Sequence, residues 1–129
     1  MKPNILYIED HPDNMTLVKR IFRPDEYNLI EAGSGIQGVS IAEEQDIDLI
    51  LLDINLPDID GYEVARRLRT SRKIDLAQIP IVAVTANAMK GDAKKVVAAG
   101  CDEYLSKPIN IQTLMDTVEN LLTKRGMRN

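Results

Sequence analysis

Short apolar runs alternate with amphipathic stretches along this chain, and the alternation repeats five times. Ile5-Leu6-Tyr7-Ile8 has the length and content of a strand and stops at Glu9 and Asp10. Asp13 is read as the cap of a first helix running to about Phe22, with Pro24 marking its end. Tyr27-Asn28-Leu29-Ile30 predicts a second strand, and Gly33 and Gly35 punctuate the turn after it. A second helix over residues 36–44 is weakened by Gly38. Leu49-Ile50-Leu51-Leu52 is the most apolar run of all. Its unbroken hydrophobicity marks a strand covered on both faces, hence a central one, and it stops at Asp53.

The second half repeats the theme. A loop dense in turn residues, Asn55-Leu56-Pro57-Asp58-Ile59-Asp60-Gly61, leads to a helix over 62–69. Ile81-Val82-Ala83-Val84 is the fourth strand and ends in Thr85. Met89, Ala93, Val96 and Val97 predict a fourth helix, closed by Gly100. Tyr104-Leu105 is a short fifth strand running into Lys107-Pro108. Asn110 caps a last helix with the stripe Ile111, Leu114, Met115, Val118, Leu121 and Leu122. Residues 123–129 form a basic tail expected to fray. Five strand–helix units with short connections imply right-handed crossovers. The expected fold is α/β, a doubly wound five-stranded parallel sheet of flavodoxin-like order 2-1-3-4-5 with helices on both faces. It fills a single domain over 1–129, with its core at about 4–122.

Composition narrows the class. The chain has 129 residues, with 15 Ile, 13 Leu and 8 Val against four Tyr, one Phe and no Trp, so its core is aliphatic. Net charge is -4, which argues against direct contact with nucleic acid. Cys101 is the single cysteine and is read as a small buried hydrophobe; nothing signals an oxidising compartment. No apolar stretch approaches the ~20 residues of a membrane span, and the start of the chain lacks signal-peptide architecture. These features predict a cytoplasmic protein with no membrane partner.

Sheets of this kind carry their sites beyond the carboxyl ends of the strands. There the sequence places Glu9, Asp10, Asp53, Thr85 and Lys107. Three converging carboxylates repel one another unless a cation compensates, and all-oxygen donors suit Mg2+. A hydroxyl and an ammonium opposite would complete a cradle for a phosphoryl group, with Asp53 as a nucleophilic carboxylate. In this order and spacing, together with Asp53-Ile54-Asn55-Leu56-Pro57, Asp60-Gly61 and Ile81-Val82-Ala83-Val84-Thr85-Ala86, the chain resembles the receiver domain of two-component response regulators. The stretches Thr85–Asp92 and Gly100–Tyr104 are most similar to single-domain regulators of the DivK type and to hybrid-kinase receivers.

The resemblance implies a role for each matching residue. Asp53 would accept the phosphoryl group, and Glu9, Asp10, Asp53 and the Asn55 carbonyl would hold Mg2+. The backbone of Asn55 and Ala86, the Thr85 hydroxyl and Lys107 would contact the phosphoryl oxygens, and the Lys107–Pro108 bond would be cis. Thr85 and Tyr104 would form the switch. The donor would be a histidine kinase or histidine phosphotransfer protein. The output would be a changed contact with a protein target, from a monomer or weak homodimer that is no enzyme beyond promoting its own phosphorylation and dephosphorylation.

Other features have plainer readings. The first helix carries an apolar stripe of Met15, Leu17, Val18, Ile21 and Phe22, wider than one core face needs. Met15 and Phe22 are therefore expected to stay partly open and, with Pro108, to receive a partner helix. His11 is expected on the site rim, tuning metal affinity near neutral pH. Arg66, Arg67, Arg69, Arg72 and Lys73 read as a solvent face. Met1 and the complete last helix favour a free-standing protein over a receiver excised from a hybrid kinase. An aspartyl phosphohydrolase would want Asp-x-Asp, whereas the chain has Asp53-Ile54-Asn55 and no room for a cap. A flavin module would want a Ser/Thr/Gly-rich loop where Glu9 and Asp10 stand.

Overall fold

A computed structural model describes residues 2–86 and 91–126. In chain order the elements are β1 (Asn4–Ile8), α1 (Pro12–Ile21), β2 (Asn28–Ala32), α2 (Gly35–Glu44), β3 (Leu49–Asp53), α3 (Gly61–Arg69), α4 (Ile74–Ala77), β4 (Ile81–Thr85), α5 (Asp92–Ala99), β5 (Glu103–Ser106) and α6 (Ile111–Lys124). All strand pairings are parallel, and the order is β2-β1-β3-β4-β5. The expected doubly wound fold is the one observed. β3 is buried at every position, as is β4, which places both in the sheet's interior.

The two-residue period of the strands divides the core in two. Leu6, Ile8, Ile50, Leu52, Ile81 and Ala83 face one layer, where Ala42 of α2, Val64 and Leu68 of α3, Leu76 of α4 and Val96 of α5 pack. Ile5, Tyr7, Leu49, Leu51 and Val82 face the other, packed with Val18 of α1 and Leu114, Val118 and Leu122 of α6. The registers bring the strand ends level: Ile8 pairs with Leu52, and Asp53 with Val84. One edge of the sheet thus collects the residues that end the apolar runs.

Several expectations need correction. The cap of α1 is His11, not Asp13: its Nδ1 accepts the Asp13 amide at 3.3 Å, and Pro12 fills the first helical position. Met15 and Phe22 are not open, being 9% and 1% exposed. Phe22 sits edge-on against Tyr27 with ring centroids 5.1 Å apart, and the Tyr27 hydroxyl donates to Glu119 at 2.9 Å. That packing draws the Met15–Phe22 side of the stripe into the core and leaves Leu17 outside at 38%.

The basic cluster is not all solvent face either. Arg69 donates to the carbonyls of Gly100, Ala77 and Ile79 and to Asp102, while Lys73 donates to the carbonyls of Ala42 and Gln45. The short helix α4 lies in a stretch read from sequence only as polar. Helix α6 runs through Lys124, two residues into the predicted tail. Met89 of the predicted fourth helix and residues 127–129 of the tail lie outside the described residues.

Gly38, which lowers the helical propensity of α2, has a packing reason. A Cβ there would overlap the Ile8 side chain of β1. Replacing Gly38 with Ala should therefore cost about 1–3 kcal/mol despite the propensity gained, read as a lower denaturant midpoint. A stabilised protein would contradict the close approach of α2 to β1.

Candidate functional site

β1 ends at Ile8, and the chain continues with Glu9, whose amide donates to the Ala32 carbonyl of β2 at 2.9 Å. This bond turns the Glu9 side chain into the space beyond the sheet edge, where it is 2% exposed. Asp53 ends β3 beside it and is 1% exposed. Ligand oxygens of Glu9, Asp10 and Asp53 lie within 4.8 Å of one another. Asp10 is exposed and forms the solvent side of the group.

Positive charge reaches the cluster from β5. Lys107 Nζ lies 3.0 Å from Asp53 Oδ1 and 3.9 Å from Glu9 Oε1. Its backbone is held by its amide, which donates to the Thr85 carbonyl at 2.9 Å, and the Lys107–Pro108 bond is cis. Asp53 Oδ1 also accepts the Asn55 amide at 3.2 Å, so the loop after β3 folds back on the carboxylate. Thr85 is fully buried at the end of β4, with Ala86 exposed after it. Tyr104 stands on β5 opposite Ala83 and is 41% exposed. Of the expected residues, Glu9, Asp10, Asp53, Asn55 and Lys107 lie together, whereas Met15 and Phe22 belong to the core.

One ammonium does not balance the crowd. Burial first, and then the neighbouring Asp53 carboxylate, pushes the Glu9 carboxyl up to about 7 against the smaller opposing pull of Asn14 and Lys107. Glu9 Oε1 accepts from the Tyr7 hydroxyl at 3.2 Å and from Asn14 Nδ2 at 2.8 Å, whereas Oε2 is buried with no hydrogen-bond partner. Burial and then the charge of Glu9 raise the Tyr7 hydroxyl far above its usual range, so it stays protonated and remains a donor. A buried, unpartnered carboxylate oxygen beside two further carboxylates fits a hard divalent cation and little else.

Three contributors escaped the sequence reading. Tyr7 looked like core, yet a two-residue period places it on the same side as Glu9. Asn14 sits one turn into α1 and carried no motif. Asp58, in the β3–α3 loop, accepts the amides of Gly35 at 2.9 Å and Ile36 at 2.8 Å, capping α2 from a distance. Its signal is only the turn-rich loop, because its partners lie more than twenty residues away. His11 spends its ring nitrogen on the α1 cap.

Three clustered carboxylates with a lysine against them, at the carboxyl edge of a 2-1-3-4-5 sheet, define a phosphoaccepting signalling module. Residues 5–119 match the family described as response regulator receiver domain, and the chain belongs to that family. Among its relatives, the polar-differentiation response regulator DivK of Brucella ovis is 37% identical over 122 residues, covering 95% of this chain and 98% of DivK. The receiver domain of a sensor histidine kinase from Pseudomonas aeruginosa, solved with a magnesium ion coordinated in its active-site cleft, superimposes with a TM-score of 0.87 at 35% identity. That match covers 95% of this chain and 99% of the other. A putative response regulator from Chloroflexus aurantiacus gives 0.88 at 26% identity, over 95% and 99% of the two chains.

The Asp58 cap has a pH signature. The two α2 amides hold its carboxyl down at about 2, so the folded state gains from its ionised form. That stability is fully present above the unfolded value near 4 and fades as pH falls towards 2. Because Asp58 is exposed, Asp58→Ala should cost only about 1 kcal/mol at neutral pH. The gap between the two denaturation midpoints should narrow steadily below pH 4; a gap independent of pH would rule the cap out.

Proposed function

We propose that Asp53 takes a phosphoryl group from a phosphohistidine on a histidine kinase or phosphotransfer protein. One observation carries this: the buried Asp53 carboxylate is paired with Lys107 at 3.0 Å and sits beside the unpartnered oxygen of Glu9. Glu9, Asp10, Asp53 and the Asn55 carbonyl would hold Mg2+, the ion seen in the cleft of the related kinase receiver. Bound there, Mg2+ supplies charge neutralisation for the phosphoryl oxygens.

The chain's own groups supply the rest. An Asp53 oxygen attacks phosphorus in line as the P–N bond breaks, and its electron pair returns to the donor imidazole. Lys107 moves from the Asp53 oxygen to the incoming phosphoryl oxygens, and the Thr85 hydroxyl and the amides of Asn55 and Ala86 complete their coordination. The acyl phosphate then favours one of two arrangements of Thr85 and Tyr104. The exposure of Tyr104 on β5 is consistent with the outward one.

With Met15 and Phe22 buried, the docking face on α1 is carried by Leu17, joined by the exposed Pro108. The output is a changed contact with a protein target, from a monomer or weak homodimer. A cytoplasmic setting is supported by the kinase partner that the family implies and by the single buried Cys101. Among the described residues no helix is long and apolar enough to cross a membrane.

Intact mass after treatment with a small phosphodonor and Mg2+ should show the gain of one phosphoryl group. Asp53→Asn should abolish the gain, Lys107→Ala should slow it by about tenfold or more, and chelation should prevent it. Absence of any gain in the unaltered protein would remove the reading.

A further inference from the structure

Glu9 is held in an asymmetric way. Tyr7 Oη and Asn14 Nδ2 both donate to the same oxygen, Oε1, at 3.2 and 2.8 Å, and Lys107 Nζ stands 3.9 Å from it. Oε2 receives nothing. The two donors come from different elements, Tyr7 from within β1 and Asn14 from the first turn of α1, so the carboxylate plane is fixed from two directions. Tyr7 is itself fully buried among Leu49, Leu51, Val82 and Val18, which leaves its ring little freedom to withdraw the hydroxyl.

This matters because divalent cations differ in how they use a carboxylate. Mg2+ demands compact octahedral coordination and keeps several waters, which one oxygen per carboxylate serves well. Ca2+ is larger, accepts six to eight oxygens and readily takes both oxygens of one carboxylate. A Glu9 free to turn could offer both. A Glu9 whose Oε1 is already engaged offers one.

We propose that Tyr7 and Asn14 are positioning residues that restrict Glu9 to a one-oxygen face and thereby bias the site towards Mg2+ and against Ca2+. The inference rests on the reading of Glu9, Asp10 and Asp53 as the metal site, but concerns selectivity and not the existence of binding. It also accounts for a tyrosine hydroxyl in the buried Ile5–Ile8 run of β1.

The test is calorimetric titration of the metal-free full chain with Mg2+ and, separately, Ca2+. It uses the unaltered protein, Tyr7→Phe, Asn14→Ala and the double variant. Removing a charge-assisted hydrogen bond changes an equilibrium by about tenfold. Each single variant should therefore lower the Mg2+/Ca2+ affinity ratio several-fold, and the double variant should lower it further. Thermal midpoints in chelator report folding independently; should the double variant fail to fold, the singles decide. A ratio unchanged within twofold in folded single variants overturns the proposal, whatever happens to the absolute affinities. Failure of the unaltered protein to bind Mg2+ would instead strike the metal-site reading on which it rests.

Discussion

The structure is organised around electrostatic crowding at one edge of the sheet. Two carboxylates, Glu9 and Asp53, are almost completely buried side by side, and Lys107 is the ammonium that reaches them. Burial, and after it the neighbouring Asp53, pushes the Glu9 carboxyl up to about 7. Both core layers are mostly aliphatic, and Tyr7 links one of them to the cluster through its hydroxyl, which donates to Glu9.

The fold delivers the crowding through register. Parallel pairing levels β1 with β3 and β3 with β4, so residues that end the apolar runs emerge side by side. Local hydrogen bonds then aim each one. The Glu9 amide is fixed to β2, the Asn55 amide returns to Asp53, and the Lys107 amide is fixed to β4. Each bond is short-range, yet together they converge groups separated by almost one hundred residues.

The strands and the acidic edge were legible in the sequence because both are local signals. An apolar run has a length, and a charge that stops it has a position. What escaped depends on partners far along the chain. Asp58 looks like any turn residue until Gly35 and Ile36 come within reach. Arg69 and Lys73 look solvated until the carbonyls they bind are folded around them. The α1 stripe was drawn correctly but assigned wrongly: five apolar residues cover more than one face, and only the Phe22–Tyr27 contact decides which of them turns inward. In the sequence Tyr7 is only part of an apolar strand, and its hydroxyl could be placed only once Glu9 stood beyond the strand end.

The opposite edge of the sheet shows why charge chemistry can be confined to one side. There Asp48, Asp102, Arg69 and Lys73 each have backbone partners. Asp48 accepts the Asn4 amide at the start of β1, and Asp102 accepts the Ile81 amide at the start of β4. Arg69 binds three carbonyls as well as Asp102, and Lys73 caps the end of α2. Those charges meet dipoles that the fold itself presents. At the acidic edge the carboxylates face one another instead, and Glu9 keeps an oxygen with no donor. A change of charge therefore acts on the edge that is unsatisfied, while the satisfied edge holds the starts of the strands in place. The asymmetry lets a small module respond to one added group without losing its fold.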